Sequence, residues 1–289
     1  MTVSAPFLAT TTAQLDRFLA DNQPAKGRRA VVMTMGALHE GHLELVRAAK
    51  EAATQVIVTI FVNPLQFGPG EDYEAYPRTL EADLALLTEA GVDAVFAPSP
   101  QEMYPDTRPL VTVSAGHIGT VLEGAIRPGH FDGMLTVVLK LLNLTRPDLA
   151  FFGQKDAQQL LLIQRMVKDF NLGVKICPVP IVRQEDGLAL SSRNSYLSQE
   201  ERETALTLSR ALTAAQLAAQ RGATAGQARA VAAQVIEQIA GLTLDYLVVV
   251  DPQTIAQADE DYRGSALTLI AARVGSTRLI DNMPVEIAP

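Results

Sequence analysis

The sequence places two histidines, His39 and His42, three residues apart on a glycine-containing turn. An apolar run over residues 30–32 precedes the turn, and a run with helical spacing over residues 43–53 follows it. The pattern predicts a strand, a tight turn and the start of a helix. A helix start has N–H groups without an intrahelical partner and the positive end of the helix dipole, so it binds anions. Imidazoles at positions i and i+3 face the same side there, and we expect a nucleotide phosphate chain as the ligand.

Two other interpretations of this turn stay open on the sequence alone. Strand–glycine–helix turns are common in α/β proteins, and histidine often serves only as a surface or capping residue. The His-x-x-His spacing also suits a metal site, although no third Cys or His ligand lies nearby in the sequence. Gly36 and Gly41 favour the phosphate interpretation, because glycine lets the backbone come close to a ligand.

Two cationic residues lie where they could meet the same phosphates. Lys155 comes two residues after Gly153, at the end of a predicted strand, and a lysine there can bind phosphate as a point charge. Arg193 follows the hydroxyls of residues 191–192, a combination that suits phosphate oxygens. A solvated surface lysine and a flexible linker are the alternatives.

Neutral amides and carboxylates supply the remaining candidates. Gln66 and Gln159 lie beside apolar residues, and an amide both donates and accepts hydrogen bonds, which suits a small substrate with hydroxyls and a carboxylate. His130 follows a Pro-Gly pair and could add a third imidazole or simply begin a helix. Oxygen ligands for Mg²⁺ could come from three carboxylates, although acidic residues on helix faces are usually only solvated; these are Asp72, Asp83 and Asp156.

The elements that must position these residues alternate between strands and helices. Strands are predicted over residues 30–35, 56–62, 92–97, 149–152 and 174–182, with a further short one over 111–113. Helices are predicted over residues 13–21, 43–53, 80–90, 133–144 and 157–170. Such alternation is typical of a Rossmann-like α/β domain with a parallel sheet. Ligands bind at the carboxyl ends of its strands, where the candidate residues fall.

The pattern changes in the last third of the chain. Alanine-rich helices are predicted over 199–220 and 224–240, followed by strands over 244–250, 266–273 and 277–281. Helices followed by strands indicate a small α+β domain. We therefore expect a Rossmann-like domain over residues 1–185 and a smaller C-terminal domain over 186–289.

Composition limits the class of protein. The chain has 289 residues, a net charge of −8 and one cysteine, Cys177. The negative charge gives no bulk attraction for nucleic acid or an anionic membrane. One cysteine excludes an internal disulfide and a multi-cysteine metal site. The N-terminus lacks a signal-peptide pattern and no apolar run approaches about 18 residues, so we expect a soluble cytoplasmic protein.

The motifs together resemble a known family. Residues 35–42 are similar to the HxGH signature of the nucleotidyltransferase superfamily, and residues 190–194 resemble its second phosphate loop. Combined with further segments, they resemble the pantoate–β-alanine ligase (pantothenate synthetase) family; these segments are 61–67, 76–79, 127–131 and 152–156. The HxGH motif alone indicates only the superfamily, whereas the motifs in this order indicate the family. The resemblance covers about residues 30–197 and continues, less specifically, over 276–282.

The resemblance implies a reaction and its partners. ATP activates the carboxylate of (R)-pantoate as pantoyl adenylate and diphosphate is released. The amine of β-alanine then attacks the adenylate, which gives pantothenate and AMP. The resemblance further implies Mg²⁺, a homodimer, and two domains joined by a hinge.

The resemblance also assigns roles to residues. The implied nucleotide site comprises Met35, Gly36, Ala37, Leu38, His39, Glu40, Gly41, His42, Gly153, Gln154, Lys155, Asp156, Val182, Leu190, Ser191, Ser192 and Arg193. Catalysis is assigned to His39, His42, Lys155 and Arg193, with both histidines on the phosphates and His42 as general acid. The implied substrate site comprises Gln66, Gln159, Asn63 and His130, with Glu123 as a further candidate. Asp83 is the candidate ligand for Mg²⁺.

Two positions depart from the family pattern. Gln154 stands where glutamate is usual, and Leu190 stands where methionine is usual. Leucine keeps the volume and apolar character of methionine, whereas glutamine loses a charge. Two alternative functions remain: a nucleotidyltransferase that leaves the adenylyl group on its product, and a non-catalytic nucleotide-binding protein. A tRNA-charging enzyme is disfavoured, because the chain is short and acidic.

Overall fold

The computed structural model describes residues 4–24, 27–237 and 239–288. Its strands are β1 (Phe7–Ala9), β2 (Arg29–Thr34), β3 (Gln55–Ile60), β4 (Ala94–Phe96), β5 (Leu149–Gly153), β6 (Lys175–Val179), β7 (Leu242–Val250), β8 (Gly264–Val274) and β9 (Thr277–Ile287). Its helices are α1 (Thr12–Asp21), α2 (Glu40–Ala52), α3 (Leu80–Glu89), α4 (Pro100–Met103), α5 (Glu123–Ile126), α6 (His130–Thr145), α7 (Ala157–Asp169), α8 (Gln199–Gln220) and α9 (Ala225–Glu237). The chain forms two compact units, Met1–Gln154 with Leu162–Val179 and Lys155–Leu161 with Pro180–Pro289.

The first unit is built on a six-stranded sheet in the order β1-β4-β3-β2-β5-β6, whose paired strands run parallel. β2 and β3 form its centre and are almost wholly buried, because apolar and β-branched side chains fill both faces. From β2 the chain moves outward to β3 and β4, then returns to the other side with β5 and β6. This reversal lies between β2 and β5, and ligands of such sheets bind there, at the carboxyl ends of the strands.

Helices of the first unit cover the sheet with apolar faces. α2 buries Leu45, Val46 and Ala49 against the core that β2 and β3 supply. Each buried valine or leucine side chain stabilises the fold by about 1.5–3 kcal/mol. α6 is buried over most of its surface but has only 16 residues. Within the described part of the chain, no helix combines the length and the apolar character that crossing a bilayer requires.

The second unit packs α8 and α9 on an antiparallel sheet in the order β7-β8-β9. Its core is rich in alanine, which lets the two helices approach each other closely; Ala205, Ala211 and Ala215 of α8 are fully buried. α8 begins with a capping box, in which the side chains of Ser198 and Glu201 bind each other's backbone N–H groups.

The predicted fold class is confirmed: a Rossmann-like parallel sheet is followed by a small α+β unit. Three element predictions need correction. Residues 111–113 form no strand; Val111 is 86% exposed and the Val113 N–H donates to the Thr136 hydroxyl at 3.0 Å. β9 continues to Ile287 because its register with β8 extends to the pair Gly264–Ile287. α9 ends at Glu237, short of the predicted residue 240, and residue 238 lies outside the described residues.

The observed division of the chain into two units also differs from the predicted domain boundary between residues 185 and 186. The second unit begins at Pro180 and includes Lys155–Leu161. Residues after Pro180 join it because Arg183 forms an ion pair with Asp281 of β9 and a bridge with Ala189. These long-range contacts leave no signal in local composition.

Candidate active site

His39 and His42 form the start of α2. His39 is the N-cap residue, and its Nδ1 accepts a hydrogen bond from the Gly41 N–H at 3.1 Å. His42 accepts a hydrogen bond from the His39 N–H through its own Nδ1, at 3.3 Å. The ring centroids are 4.1 Å apart, as the i, i+3 spacing predicts. Two imidazoles thus take the places that Ser or Thr and Glu or Gln occupy in an ordinary capping box.

These hydrogen bonds set the tautomer of both rings. An Nδ1 atom that accepts a hydrogen bond carries no proton, so the neutral ring holds its proton on Nε2. In the neutral form, His39 and His42 therefore each carry an Nε2–H donor at a helix end whose dipole favours anions. Two such donors suit the oxygens of a phosphate chain.

The turn that precedes α2 is held by Asp83 of α3. Asp83 is 1% exposed. Its Oδ2 accepts from the Ala37 N–H at 3.1 Å and its Oδ1 accepts from the Leu38 N–H at 2.8 Å. Gly36 and Ala37 have φ of +85° and +50°, and the left-handed region costs an alanine about 1–2 kcal/mol. Asp83 offsets this strain and fixes the backbone that leads into the histidines.

This geometry does not support the assignment of Asp83 to Mg²⁺, because both of its oxygens accept backbone hydrogen bonds. Across residues 4–24, 27–237 and 239–288, no three His, Cys, Asp or Glu side chains are grouped to hold a metal. Mg²⁺ is commonly bound by one or two carboxylates together with substrate phosphates, so it does not need a group of this kind.

Gln66 lies next to the histidine turn in a buried polar pocket. Its Nε2 donates to the Met35 sulfur at 3.2 Å, and its Oε1 accepts from the Asn63 amide at 3.2 Å. Asn63 is 1% exposed, and its amide also bonds Gly133 O at 3.1 Å and accepts from the Tyr104 hydroxyl at 3.0 Å. Burial raises the pKa of Tyr104, which keeps this hydroxyl protonated as a donor. The Asn63 amide thus helps to position Gln66, and its assignment to substrate stays a prediction.

His130 also contacts Gln66 and begins α6. Its Nδ1 lies 2.8 Å from Gln66 O, and its Nε2 lies 3.1 Å from Nη1 of Arg127. Arginine only donates, so Nε2 accepts and the ring proton lies on Nδ1, where it donates to the carbonyl. Through these two hydrogen bonds, His130 supports the loop that carries Gln66, and its assignment to substrate stays a prediction.

Arg127 connects this loop to Glu71. The guanidinium binds both carboxylate oxygens of Glu71, at 2.9 and 2.5 Å, and donates to Gln66 O at 3.3 Å. Burial raises the pKa of Glu71, but the hydrogen bonds and charge of Arg127 lower it more, so the pKa lies below its ordinary value. A carboxyl of this kind contributes stability that is present above its unfolded pKa and is lost as the pH falls through the folded pKa.

We expect Glu71→Gln to flatten the acid limb of the stability curve. The wild-type chain should lose this contribution as the pH falls below about 4.5, the ordinary value of the carboxyl, whereas the variant lacks it at every pH. Chemical denaturation at a series of acidic pH values measures the difference. Exposed Glu74→Gln is the matched control, and equal acid dependence in the two variants would contradict the assignment.

Gly133 of α6 sets how closely that helix approaches the Gln66 loop. A Cβ at this position would lie 2.1 Å from Leu65 O and 2.8 Å from the Gln66 N atom. We expect Gly133→Ala to lower the free energy of unfolding by about 1–3 kcal/mol, because the backbone of the loop must shift. Urea denaturation measures this loss. Gly173→Ala, where a Cβ meets nothing within 4 Å, should change stability little, and a similar loss in both variants would contradict this packing account.

The second unit holds the predicted second phosphate loop at the base of a hairpin. The Leu190 N–H donates to Val182 O at 3.0 Å, and the hairpin turns at Gly187, whose φ is +95°. Ser191 then caps a short 3₁₀ helix, Ser192–Tyr196, by accepting from the Arg193 N–H at 3.3 Å. The hairpin thus fixes the backbone at the start of the segment that carries the hydroxyls and the guanidinium.

Lys155 and Gln159 also belong to the second unit. Lys155 lies in the turn between β5 and α7 and is half-buried, as is Gln159 in the first turn of α7. Gln158, the residue before it, is buried. Gln154 is exposed. The replacement of the usual glutamate by glutamine at this position therefore does not remove a buried ion pair.

The assigned residues thus fall into two groups. The first unit holds Met35, Gly36, Ala37, Leu38, His39, Glu40, Gly41, His42, Asn63, Gln66, His130, Gly153 and Gln154. The second unit holds Lys155, Asp156, Gln159, Val182, Leu190, Ser191, Ser192 and Arg193. Glu123 is buried at the start of α5, and Glu40 forms an ion pair with Arg47 along α2.

Sequence reasoning missed the residues that support the site rather than form it. Asp83 was weighed only as a metal ligand, and Tyr104, Glu71 and Arg127 were given no role. Arg127 stands three residues before His130, and that motif was the available signal. The partner of Asp83 lies 46 positions away, so no local pattern indicates it.

Known proteins resemble this chain over nearly its whole length. The family model described as pantoate-beta-alanine ligase matches residues 8–284. The pantothenate synthetase of Salinispora arenicola is 57% identical, with 91% of this chain and 93% of that protein covered. The pantothenate synthetase of Streptomyces coelicolor is 50% identical, with 100% of this chain and 98% of that protein covered.

Solved structures agree with these relatives. The crystal structure of pantothenate synthetase from Thermus thermophilus matches with a TM-score of 0.90 at 45% identity and covers 98% of this chain and 100% of that one. A pantoate-beta-alanine ligase from Francisella tularensis, complexed with beta-gamma ATP and beta-alanine, matches with a TM-score of 0.79 at 35% identity, covering 96% and 97%. The fold, the motifs and the relatives agree, and the chain belongs to the pantoate–β-alanine ligase family.

Proposed function

We propose that this ligase joins (R)-pantoate to β-alanine through a pantoyl adenylate, with ATP as the activating substrate. The observation that carries the proposal is the pair of Nε2–H donors at the start of α2, next to the loop of the buried amide of Gln66. The first feature suits the phosphates of a nucleotide and the second suits the hydroxyls of a small acid. A ligase that forms an acyl adenylate needs both.

The first step transfers the adenylyl group to pantoate. A carboxylate oxygen of pantoate attacks the α-phosphorus, the bond from that phosphorus to the bridging oxygen breaks, and diphosphate leaves. Negative charge builds up on the oxygens around the α-phosphorus and on the leaving group. The Nε2–H groups of His39 and His42 stabilise that charge as hydrogen-bond donors, and Lys155 and Arg193 neutralise it further.

The second step forms the amide. The neutral amine of β-alanine attacks the acyl carbon, the bond to the adenylate oxygen breaks, AMP leaves, and the new nitrogen loses a proton. No enzyme nucleophile is needed. Gln66 and Gln159 hold pantoate in place through both steps, and exclusion of water protects the adenylate from hydrolysis.

Mg²⁺ belongs to the substrate in this proposal, as part of the Mg–ATP complex. The described side chains form no metal cluster of their own. When present on ATP, the ion supplies charge that neutralises phosphate oxygens. The residues of the chain bind the nucleotide and orient pantoate.

Product analysis tests the proposed reaction. The protein is incubated with ATP, Mg²⁺ and pantoate, with and without β-alanine, and AMP and diphosphate are followed. Multiple turnovers of both products only with β-alanine support the ligase. Diphosphate without AMP would favour a transferase that leaves the adenylyl group on its product. Bound ATP with neither product would favour a nucleotide-binding protein without catalysis.

We also propose a homodimer in the cytoplasm. Leu110 and Val111 are 96% and 86% exposed and are adjacent in the sequence, and this exposed apolar pair supports contact with a second copy. Sedimentation of the wild-type chain and of Leu110→Ser tests this. A dimer that the substitution weakens supports the proposal, and a monomer at every concentration overturns it.

A further inference from the structure

Strand β9 carries two polar side chains where its neighbours are apolar. Asp281 and Asn282 are 5% and 3% exposed. Burying an unpaired carboxylate or amide costs several kcal/mol, so such groups are retained where partners satisfy them. The pair belongs to the terminal motif of residues 276–282, to which the proposed reaction gives no role.

Arg183 holds this pair in place. Its Nη1 lies 2.6 Å from Oδ2 of Asp281, and its Nη2 lies 2.9 Å from Oδ1 of the same carboxylate and 3.1 Å from Asn282 O. Asp281 Oδ1 also accepts from the Asn282 N–H at 2.7 Å. A two-pronged ion pair of this kind fixes direction as well as distance. The backbone of Asn282 is thus bound through both its N–H and its carbonyl.

The side chain of Asn282 reaches the backbone of Lys155, a residue that the proposed reaction uses to neutralise phosphate charge. Its Nδ2 donates to the backbone carbonyl of Lys155 at 2.8 Å, across 127 positions of sequence. Lys155 lies in the turn between β5 and α7, outside helix and strand. The amide of Asn282, anchored on β9, constrains the peptide of this turn through its hydrogen bond. It sets the orientation of the Lys155 peptide and so the direction in which its side chain leaves the backbone.

We propose that Asn282, held by Asp281 and Arg183, is a positioning residue that orients Lys155 for catalysis. The proposal rests on the proposed role of Lys155 in neutralising phosphate charge. Misplacing a catalytic group by about 1 Å lowers a rate by up to about 10²-fold. We therefore expect Asn282→Ala to lower kcat about 10–10²-fold.

A double-mutant cycle tests the proposal. In the Lys155→Ala background, Asn282→Ala should change kcat by less than about twofold, because the group that it positions is already absent. An equal fold loss in both backgrounds would overturn the positioning role. A purely structural effect of Asn282 produces that additive result.

Further variants separate positioning from folding. Asn282→Asp keeps the volume but presents oxygens to the Lys155 carbonyl, so its kcat should fall at least as far as that of Asn282→Ala. Buried Thr268→Val of β8 is the matched control, because it perturbs the same sheet and should leave kcat unchanged. Thermal unfolding confirms that each variant is folded at the assay temperature. Normal turnover of Lys155→Ala would refute the proposed role of Lys155 and the positioning with it, whereas additivity with an impaired Lys155→Ala refutes the positioning alone.

Discussion

Lys155→Ala is expected to lower kcat about 10²–10³-fold with the fold intact. The lysine is half-buried in the turn after β5, and removal of its side chain would take one positive charge from the proposed phosphate site as negative charge builds up. Substrate binding should change less than kcat, because the charge matters most when the bond to diphosphate breaks. Release of AMP under saturating substrates measures the effect.

Two matched variants sharpen this result. Lys168→Ala removes an exposed lysine from α7, the helix that follows this turn, and should leave turnover unchanged. Lys155→Arg keeps the charge but changes the shape of the cation, so an intermediate loss of turnover would separate charge from geometry. Near-normal turnover of Lys155→Ala would remove Lys155 from the catalytic set.

His42→Asn is expected to lower kcat about 10²–10³-fold while α2 stays capped. Asparagine can still accept the hydrogen bond that Nδ1 of His42 receives from the His39 N–H. It cannot replace the Nε2–H, which is the donor proposed to face the leaving phosphates. The loss should therefore come from chemistry rather than from folding.

Comparison with His42→Ala separates these two contributions. Both variants should lose turnover to a similar extent, but the alanine variant should also unfold at a lower denaturant concentration because its half of the capping box is gone. If His42→Asn keeps near-normal turnover, the imidazole serves only as a cap. The sequence alone left this interpretation open, in which histidine is only a capping residue of the turn.

Local patterns predicted the sheet and the histidine turn for clear physical reasons. β2 and β3 are short apolar runs between turn residues, and both faces of each strand are buried. The hydrophobic pattern is therefore enough to predict these two strands. The spacing of His39 and His42 determines that their rings meet at a helix start. The register of β9 could not be predicted, because its last residues pair with β8 rather than follow a local preference.

The supporting contacts of the site escaped prediction for a different reason. Asn63 and His130 were assigned to substrate because of their residue type and motif. In the structure, their hydrogen-bonding groups face Gln66 and its loop. Asp83 was assigned to Mg²⁺ by the same reasoning, but its oxygens bind the backbone of the turn. Residue type indicates what a group can bind, whereas only the tertiary fold decides which partner it meets.

The capping role of His39 has a consequence for protein engineering. Asparagine, aspartate and serine are the most favourable N-cap residues, and histidine is not among them. Selection of variants for heat resistance alone would therefore favour replacement of His39 by one of these residues at the start of α2. The same replacement would remove a proposed phosphate donor, so such a selection would enrich for stable, inactive protein. Libraries built for thermostability should hold this position constant.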